Sequence, residues 1–170
     1  PAEGKLIFEY KEVLFMKEKF CCFTGHRKIN QNEMIEVVYR LGDEIEGLID
    51  MGVNNFISGG ALGFDTIAAL SVILLRDQGY RIRLIMALPC IGQDKLWNEK
   101  DREIYALILK YADEVRYIYE GEYKKDCMRE RNKYMVDNSS YCISYLRRGR
   151  SGTSQTVAYA QKQGLEIIRL

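Results

Sequence analysis

The chain has 170 residues and a mass of 19.8 kDa, enough for one well-formed core and short for two. Its 47% hydrophobic and 29% charged residues exclude a disordered or fibrous chain. With 25 Lys and Arg against 24 Asp and Glu the net charge is +1, so no overall field draws the molecule to nucleic acid or membrane, and any basic site has to be local.

Residues 1–18 read as an N-terminal extension or leader. Glu3, Glu9 and Glu12 lie among its apolar residues and no small-residue cleavage site follows, so a signal peptide is not expected. Lys11, Glu12 and Val13 are encodable by a purine-rich run resembling a ribosome-binding site. Met16 is therefore a candidate start, with residues 1–15 a translated leader plus a cloning remnant. The alternative is an amphipathic extension packed on the rest of the chain.

From Lys19 onward short β-rich runs alternate with longer helical ones, the pattern of βαβ units in one doubly wound α/β domain over 19–170, with a mostly parallel sheet and helices on both faces. Strands are expected at Phe20 to Thr24, Asn55 to Ser58, Ile82 to Leu88, Glu114 to Tyr119, Tyr141 to Tyr145 and Glu166 to Leu170. Several are nearly continuous apolar runs, as in strands buried on both faces. Between the first two, Glu33-Met34-Ile35, Val37-Val38, Leu41, Ile45 and Leu48-Ile49 recur at helical spacing, and Gly52 follows as a stop signal. Further helices are expected over Asp65 to Gln78, Leu96 to Tyr111, Lys125 to Val136 and Ser154 to Gln163. Right-handed crossovers bring every β-to-α loop to one edge of the sheet, where open α/β sheets bind ligands.

Those loops carry the chemistry. The first holds Thr24, Gly25, His26, Arg27 and Lys28, a close-approach glycine beside a hydroxyl, an imidazole and two cations, suited to a phosphate or carboxylate. His26 is the sole histidine, which excludes a metal site of several imidazoles; its bland role is to cap the turn. The second loop reads Ser58-Gly59-Gly60-Ala61-Leu62-Gly63-Phe64-Asp65. Glycines at a strand end are expected to leave amides bare at a helix N-terminus, where phosphate binds, with Asp65 either capping the helix or accepting from ligand hydroxyls. The third places Gln93 and Trp97 four residues apart, on one face if a helix starts there. In the fourth, Met128 to Lys133 puts cations near a helix start, against the dipole, as a ligand phosphate or a solvated face would explain. Last, Arg147, Arg148 and Arg150 precede Ser151, Gly152 and Thr153 at another helix start, a second anion cradle.

Five cysteines, Cys21, Cys22, Cys90, Cys127 and Cys142, are an odd number without CxxC spacing and read as reduced thiols in a reducing cytosol. The longest apolar run, Ile67 to Leu75, is too short to span a bilayer.

Thr24-Gly25-His26-Arg27, the Ser58 to Asp65 turn, Gln93 with Trp97, Met128 to Asn132 and Ser151-Gly152-Thr153 together resemble the YpsA-related branch of the SLOG superfamily. The resemblance spans nearly everything from Lys19 to Leu170. It implies a Rossmann-like fold shared with LOG phosphoribohydrolases and the DNA-processing protein DprA, and a ligand related to NAD or ADP-ribose. LOG enzymes carry Met-x-x-Arg-Lys and then Gly-Gly-x-Gly-Thr-x-x-Glu. Here Arg131 matches the first arginine, Gly149, Gly152 and Thr153 are kept, and Thr156 stands where the glutamate would be. Glycoside cleavage needs a carboxylate to handle the proton or water, so the reading leans away from catalysis.

The leading expectation is a cytoplasmic binder or sensor of a nucleotide-derived phosphate ligand, requiring no cofactor or metal. Its ligand-binding residues would be Thr24, Gly25, His26, Arg27, Ser58, Gly59, Gly60, Gly63, Asp65, Gln93, Trp97, Arg131, Ser151, Gly152 and Thr153. Two alternatives stand beside it: a LOG-like N-glycosidase with Asp65 as acid/base and Arg131 assisting, and a DprA-like single-stranded DNA binder using Arg27, Lys28, Arg147, Arg148 and Arg150. Near-neutral charge disfavours the last. Self-association is left open and no membrane partner is expected.

Overall fold

The computed structural model describes residues 16–147 and 149–170. The expectations for residues 1–15, and for Arg148 in the basic loop, lie outside the described residues. Strands β1 (Phe20–Gly25), β2 (Asn55–Ser58), β3 (Arg83–Leu88), β4 (Glu114–Tyr117), β5 (Tyr141–Tyr145) and β6 (Glu166–Arg169) alternate with helices α1 (Met34–Asp50), α2 (Phe64–Asp77), α3 (Glu99–Tyr111), α4 (Cys127–Asp137) and α5 (Gly152–Lys162).

All strand pairs are parallel, in the order β4-β3-β2-β1-β5-β6. Because strand side chains alternate, each run feeds two cores. Cys21, Phe23, Phe56, Leu84, Met86 and Ile143 pack in the core that takes the buried faces of α1, α2 and α3. Cys22, Ile57, Ile85, Ala87 and Cys142 pack with Met135 and Val136 of α4 and Ala160 of α5. This is why the strands read as continuous rather than alternating apolar runs. Helix α1 buries Val37, Leu41, Ile45 and Leu48 at helical spacing. Truncating the fully buried Leu41 to alanine is expected to cost about 2–5 kcal/mol. All five cysteines are free and buried, Cys90 and Cys127 as well as the three in strands.

Boundaries moved where local chemistry outweighs periodicity. The third helix starts at Glu99, not Leu96, because Asn98 Oδ1 accepts the Asp101 N–H at 2.9 Å and caps it there. Gln93 and Trp97 consequently sit in the turns before α3 and share no helix face. Strand β4 stops at Tyr117, the partner of Leu88 at the end of β3, rather than running to Tyr119. Helix α4 begins at Cys127, two residues later than expected.

The order of strands positions the site. From β1 the chain steps outward through β2 and β3 to β4, then returns to lay β5 on the other side of β1. The loops after β1 and β5 therefore leave for opposite faces, and a crevice opens between them at the carboxyl ends of the strands. No helix among the described residues is long and apolar enough to cross a membrane.

Candidate functional site

That crevice is a cleft of about 380 Å³, lined by Thr24 and Gly25 at the end of β1, His26 and Arg27 after it, Ala61 and Asp65 after β2, Met128, Arg131 and Asn132 of α4, and Ser151 to Thr153 at the start of α5. Four segments far apart in sequence thus meet at one place. Two of its rims are tied together: the His26 N–H donates to Tyr145 O at 3.2 Å, and His26 Nε2 accepts the Arg147 N–H at 2.9 Å. His26 is spent on joining the β1 and β5 loops. Arg147 also donates to Tyr145 Oη at 3.0 Å and pairs with Glu33, whose carboxylate accepts from the same phenol at 2.9 Å.

The glycine-rich turn after β2 is closed. Ser58 Oγ donates to Asp65 O at 3.1 Å and accepts the Gly60 N–H at 3.3 Å, while Asp65 Oδ2 accepts the Ala61 N–H at 3.3 Å and His26 O accepts the Phe64 N–H at 3.1 Å. Of the amides expected to be bare here, those of Gly60, Ala61 and Phe64 turn inward to these acceptors. Asp65 does not cap α2 but folds back on the turn, and Gly63 occupies the N-cap. The glycines serve close packing. A Cβ on Gly59 would fall on the Arg131 guanidinium and come within 2.8 Å of Asp65 Oδ2, and one on Gly63, at φ +78°, would strike the Arg27 backbone. Ser58, Gly59, Gly60 and Gly63 do not line the cleft; they shape its wall from behind.

In the cleft wall itself Asp65 and Arg131 are each only 5% exposed. Burial pushes the Asp65 carboxyl above its ordinary range, with the Arg131 charge and the Ala61 and Gly59 N–H groups pulling it back. Burial likewise pulls Arg131 below its usual value, opposed by Asp65. Arg131 Nη1 donates to Gly59 O, and its Nε donates to Asn132 Oδ1 at 2.7 Å. Asn132 Nδ2 then donates to Thr156 Oγ1 at 2.9 Å, which donates to Gly152 O at 2.9 Å. One polar chain runs from the first glycine-rich turn to the second. Asn132 was absent from the expected site residues, although it lies in the Met128 to Asn132 run; its neighbour Arg131 was the only signal.

The turn before α5 is open. Ser151 and Ser154 form a reciprocal capping box, with Ser151 Oγ accepting the Ser154 N–H at 3.1 Å and Ser154 Oγ accepting the Ser151 N–H at 2.9 Å. Gly152 and Thr153, the first residues of the helix, face the cleft. Thr24 and Thr153 are 6% and 8% exposed, and among the described residues neither hydroxyl has a hydrogen-bond partner. The Thr24 hydroxyl at the end of β1 and the Thr153 hydroxyl at the start of α5, with exposed Arg27 at the mouth, can together hold an anion bearing hydroxyl groups.

Gln93 and Trp97 line an adjoining cleft rather than this one. Gln93 Nε2 donates to Gly60 O and Tyr105 Oη, both at 3.0 Å, and Trp97 meets Tyr105 edge-on at 5.2 Å. Of the cations in the Met128 to Lys133 run, Arg129 pairs with Asp126, Lys133 lies 5.7 Å from the centre of the Tyr159 ring, and Arg131 is nearly buried in the cleft wall.

Sheet order and crevice define a Rossmann-like α/β protein. Its structure is similar to DNA processing protein A of Helicobacter pylori, characterised for its single-stranded DNA binding mode, at a TM-score of 0.64 and 19% identity over 93% of this chain and 67% of that one. The Streptococcus pneumoniae DprA gives 0.66 and 19%, over 93% of this chain and 51% of that one. In sequence the chain is 34% identical over 128 residues to the "Uncharacterized SPbeta prophage-derived protein YoqJ" of Bacillus subtilis (strain 168), covering 68% of this chain and 75% of the relative. The YpsA model, described as "YspA SLOG family", matches residues 21–166, and the chain belongs to that family.

Proposed function

We propose that the cleft binds a nucleotide-derived phosphate ligand of the NAD, ADP-ribose or nucleoside monophosphate class, and that the protein acts as a binder or sensor without catalysis. The observation that carries this is the pair of Thr24 and Thr153 hydroxyls, which have no hydrogen-bond partner among the described residues and open onto the cleft beside the start of α5. A phosphate against the Gly152 and Thr153 amides is neutralised by Arg27, and Asp65 accepts from a ribose hydroxyl. The absence of catalysis rests on Thr156, which stands in the glutamate position of the LOG motif and spends its hydroxyl on Asn132 and Gly152.

Thermal unfolding with ADP-ribose, NAD and nucleoside monophosphates tests the reading. Ligand at about 100 Kd adds about 2.7 kcal/mol, or roughly 5–10 °C in Tm for a chain of this size. No shift with any of them contradicts it. Release of free base from a nucleoside monophosphate, lost in Asp65→Asn, would instead favour the glycosidase alternative. A second reading, single-stranded DNA binding, is supported by the likeness to the Helicobacter pylori protein and by exposed Arg27, Lys28 and Arg150 near the cleft. It predicts oligonucleotide affinity that falls steeply with salt.

A further inference from the structure

The sheet ends in two edges, and the fold treats them differently. On β6, Arg169 O accepts from Arg40 Nη2 of α1 at 3.0 Å. Strand β4 pairs with β3 on one side, and among the described residues no strand lies on its other side. Val115 and Tyr117 are each 39% exposed, and the side chains of Glu114 and Arg116 reach solvent beside them. The Ile118 N–H donates to Leu88 O at 2.8 Å, so by alternation the backbone groups of Arg116 and Glu114 face β3 while those of Val115 and Tyr117 face outward. Unpaired backbone groups along an edge are a template for another strand.

Side chains decide which strand fits. Glu114 and Arg116 are two residues apart, so they share one face of the sheet and carry opposite charges. When β4 meets a second β4 running the other way, with the two Val115 residues opposite each other, Glu114 of each copy falls opposite Arg116 of the other. The same register lets the two Val115 residues exchange their outward backbone hydrogen bonds. Slipping one copy by a single residue sets outward backbone groups against inward ones, and slipping it by two sets Glu114 against Glu114 or Arg116 against Arg116. The β6 edge fails this test, because Glu166 and Arg169 are three residues apart and point to opposite faces.

We propose that two copies of this chain join by antiparallel pairing of β4 with β4, centred on Val115, into one continuous sheet about a two-fold axis. Such a contact uses one patch twice and closes on itself. It sets the crossover helix α3 of each copy about 10 Å from its counterpart, the spacing of packed helices. The crevice between β1 and β5 lies in the middle of the sheet, away from this edge, and stays open in both copies.

Sedimentation equilibrium of the full chain should show monomer and dimer exchanging with a dissociation constant of about 1–100 μM, since a short edge makes a small interface. Glu114→Arg and Arg116→Glu should each weaken the dimer by at least about tenfold, because each sets like charges opposite. Mixed in equal amounts, the two variants should pair with each other, one supplying only cations at these positions and the other only carboxylates. The double variant Glu114→Arg/Arg116→Glu should recover the dimer. Hydrogen exchange of the unsubstituted chain supplies a second readout, in which the outward Val115 N–H slows as concentration rises through the dimer range. A chain that stays monomeric at millimolar concentration, or a dimer that both single variants leave unchanged, overturns the proposal. So does a Val115 exchange rate independent of concentration, or a mixture of the two folded variants that stays monomeric.

Discussion

The two glycine-rich turns look alike in sequence and do opposite work. After β2, Ser58, Asp65 and His26 take up the Gly60, Ala61 and Phe64 N–H groups, and Gly59 and Gly63 let Arg131 and the Arg27 backbone approach. Before α5, a Cβ on Gly152 would meet nothing within 4 Å, and the first turn faces the cleft with an unspent hydroxyl. Glycine at a strand-to-helix junction therefore signals either close packing or ligand access. Which one applies depends on whether nearby side chains consume the amides.

Substitutions can break that contrast, beginning with the closed turn. Arg131→Ala removes the donors to Gly59 O and Asn132 and takes from buried Asp65 the cation that acts on it most strongly, a loss of about 3–5 kcal/mol in urea unfolding. Gly63→Ala meets a left-handed φ and the Arg27 backbone together, for about 2–5 kcal/mol by the same measurement. At the open turn the effects shrink. Ser151→Ala deletes one half of the capping box and should cost about 1 kcal/mol, while Gly152→Ala should stay within about 0.5 kcal/mol of wild type. If Gly152→Ala proves as damaging as Gly63→Ala, the two turns do not differ as described.

The closed turn also has a pH signature. Burial raises the native pKa of Asp65 above its unfolded value, so in that window the native state holds more protons than the unfolded chain. Stability of wild type relative to Asp65→Asn should then be greatest below the ordinary carboxylate range. It should fall as pH rises from there through the raised native pKa. A difference that grows with pH would mean that Arg131 outweighs burial.

Much of the fold was legible because helices covering both faces of a parallel sheet impose continuous apolar strands, and β2 and β5 fall where those runs lie. The start of α3 was not, since Leu96 continues the apolar pattern while Asn98 provides the cap. For the site, Thr24, Arg27, Asp65, Arg131 and Ser151 to Thr153 converge on one cleft, as loops at the carboxyl edge of the sheet should. Ser58, Gly59, Gly60 and Gly63 lie behind its wall, and Gln93 and Trp97 in its neighbour, because a motif locates a loop without saying which way its groups point. Asn132 escaped notice because its role depends on Thr156, 24 residues away and visible only once α4 packs on α5.

The central claim, a phosphate ligand held at the start of α5, is tested most directly by calorimetry of ADP-ribose with Thr153→Val. The Thr153 hydroxyl has no partner within the described residues, so the account predicts unfolding within about 0.5 kcal/mol of wild type together with at least a tenfold loss of affinity, about 1.4 kcal/mol. Unchanged affinity in a folded Thr153→Val protein that still binds ADP-ribose would contradict it.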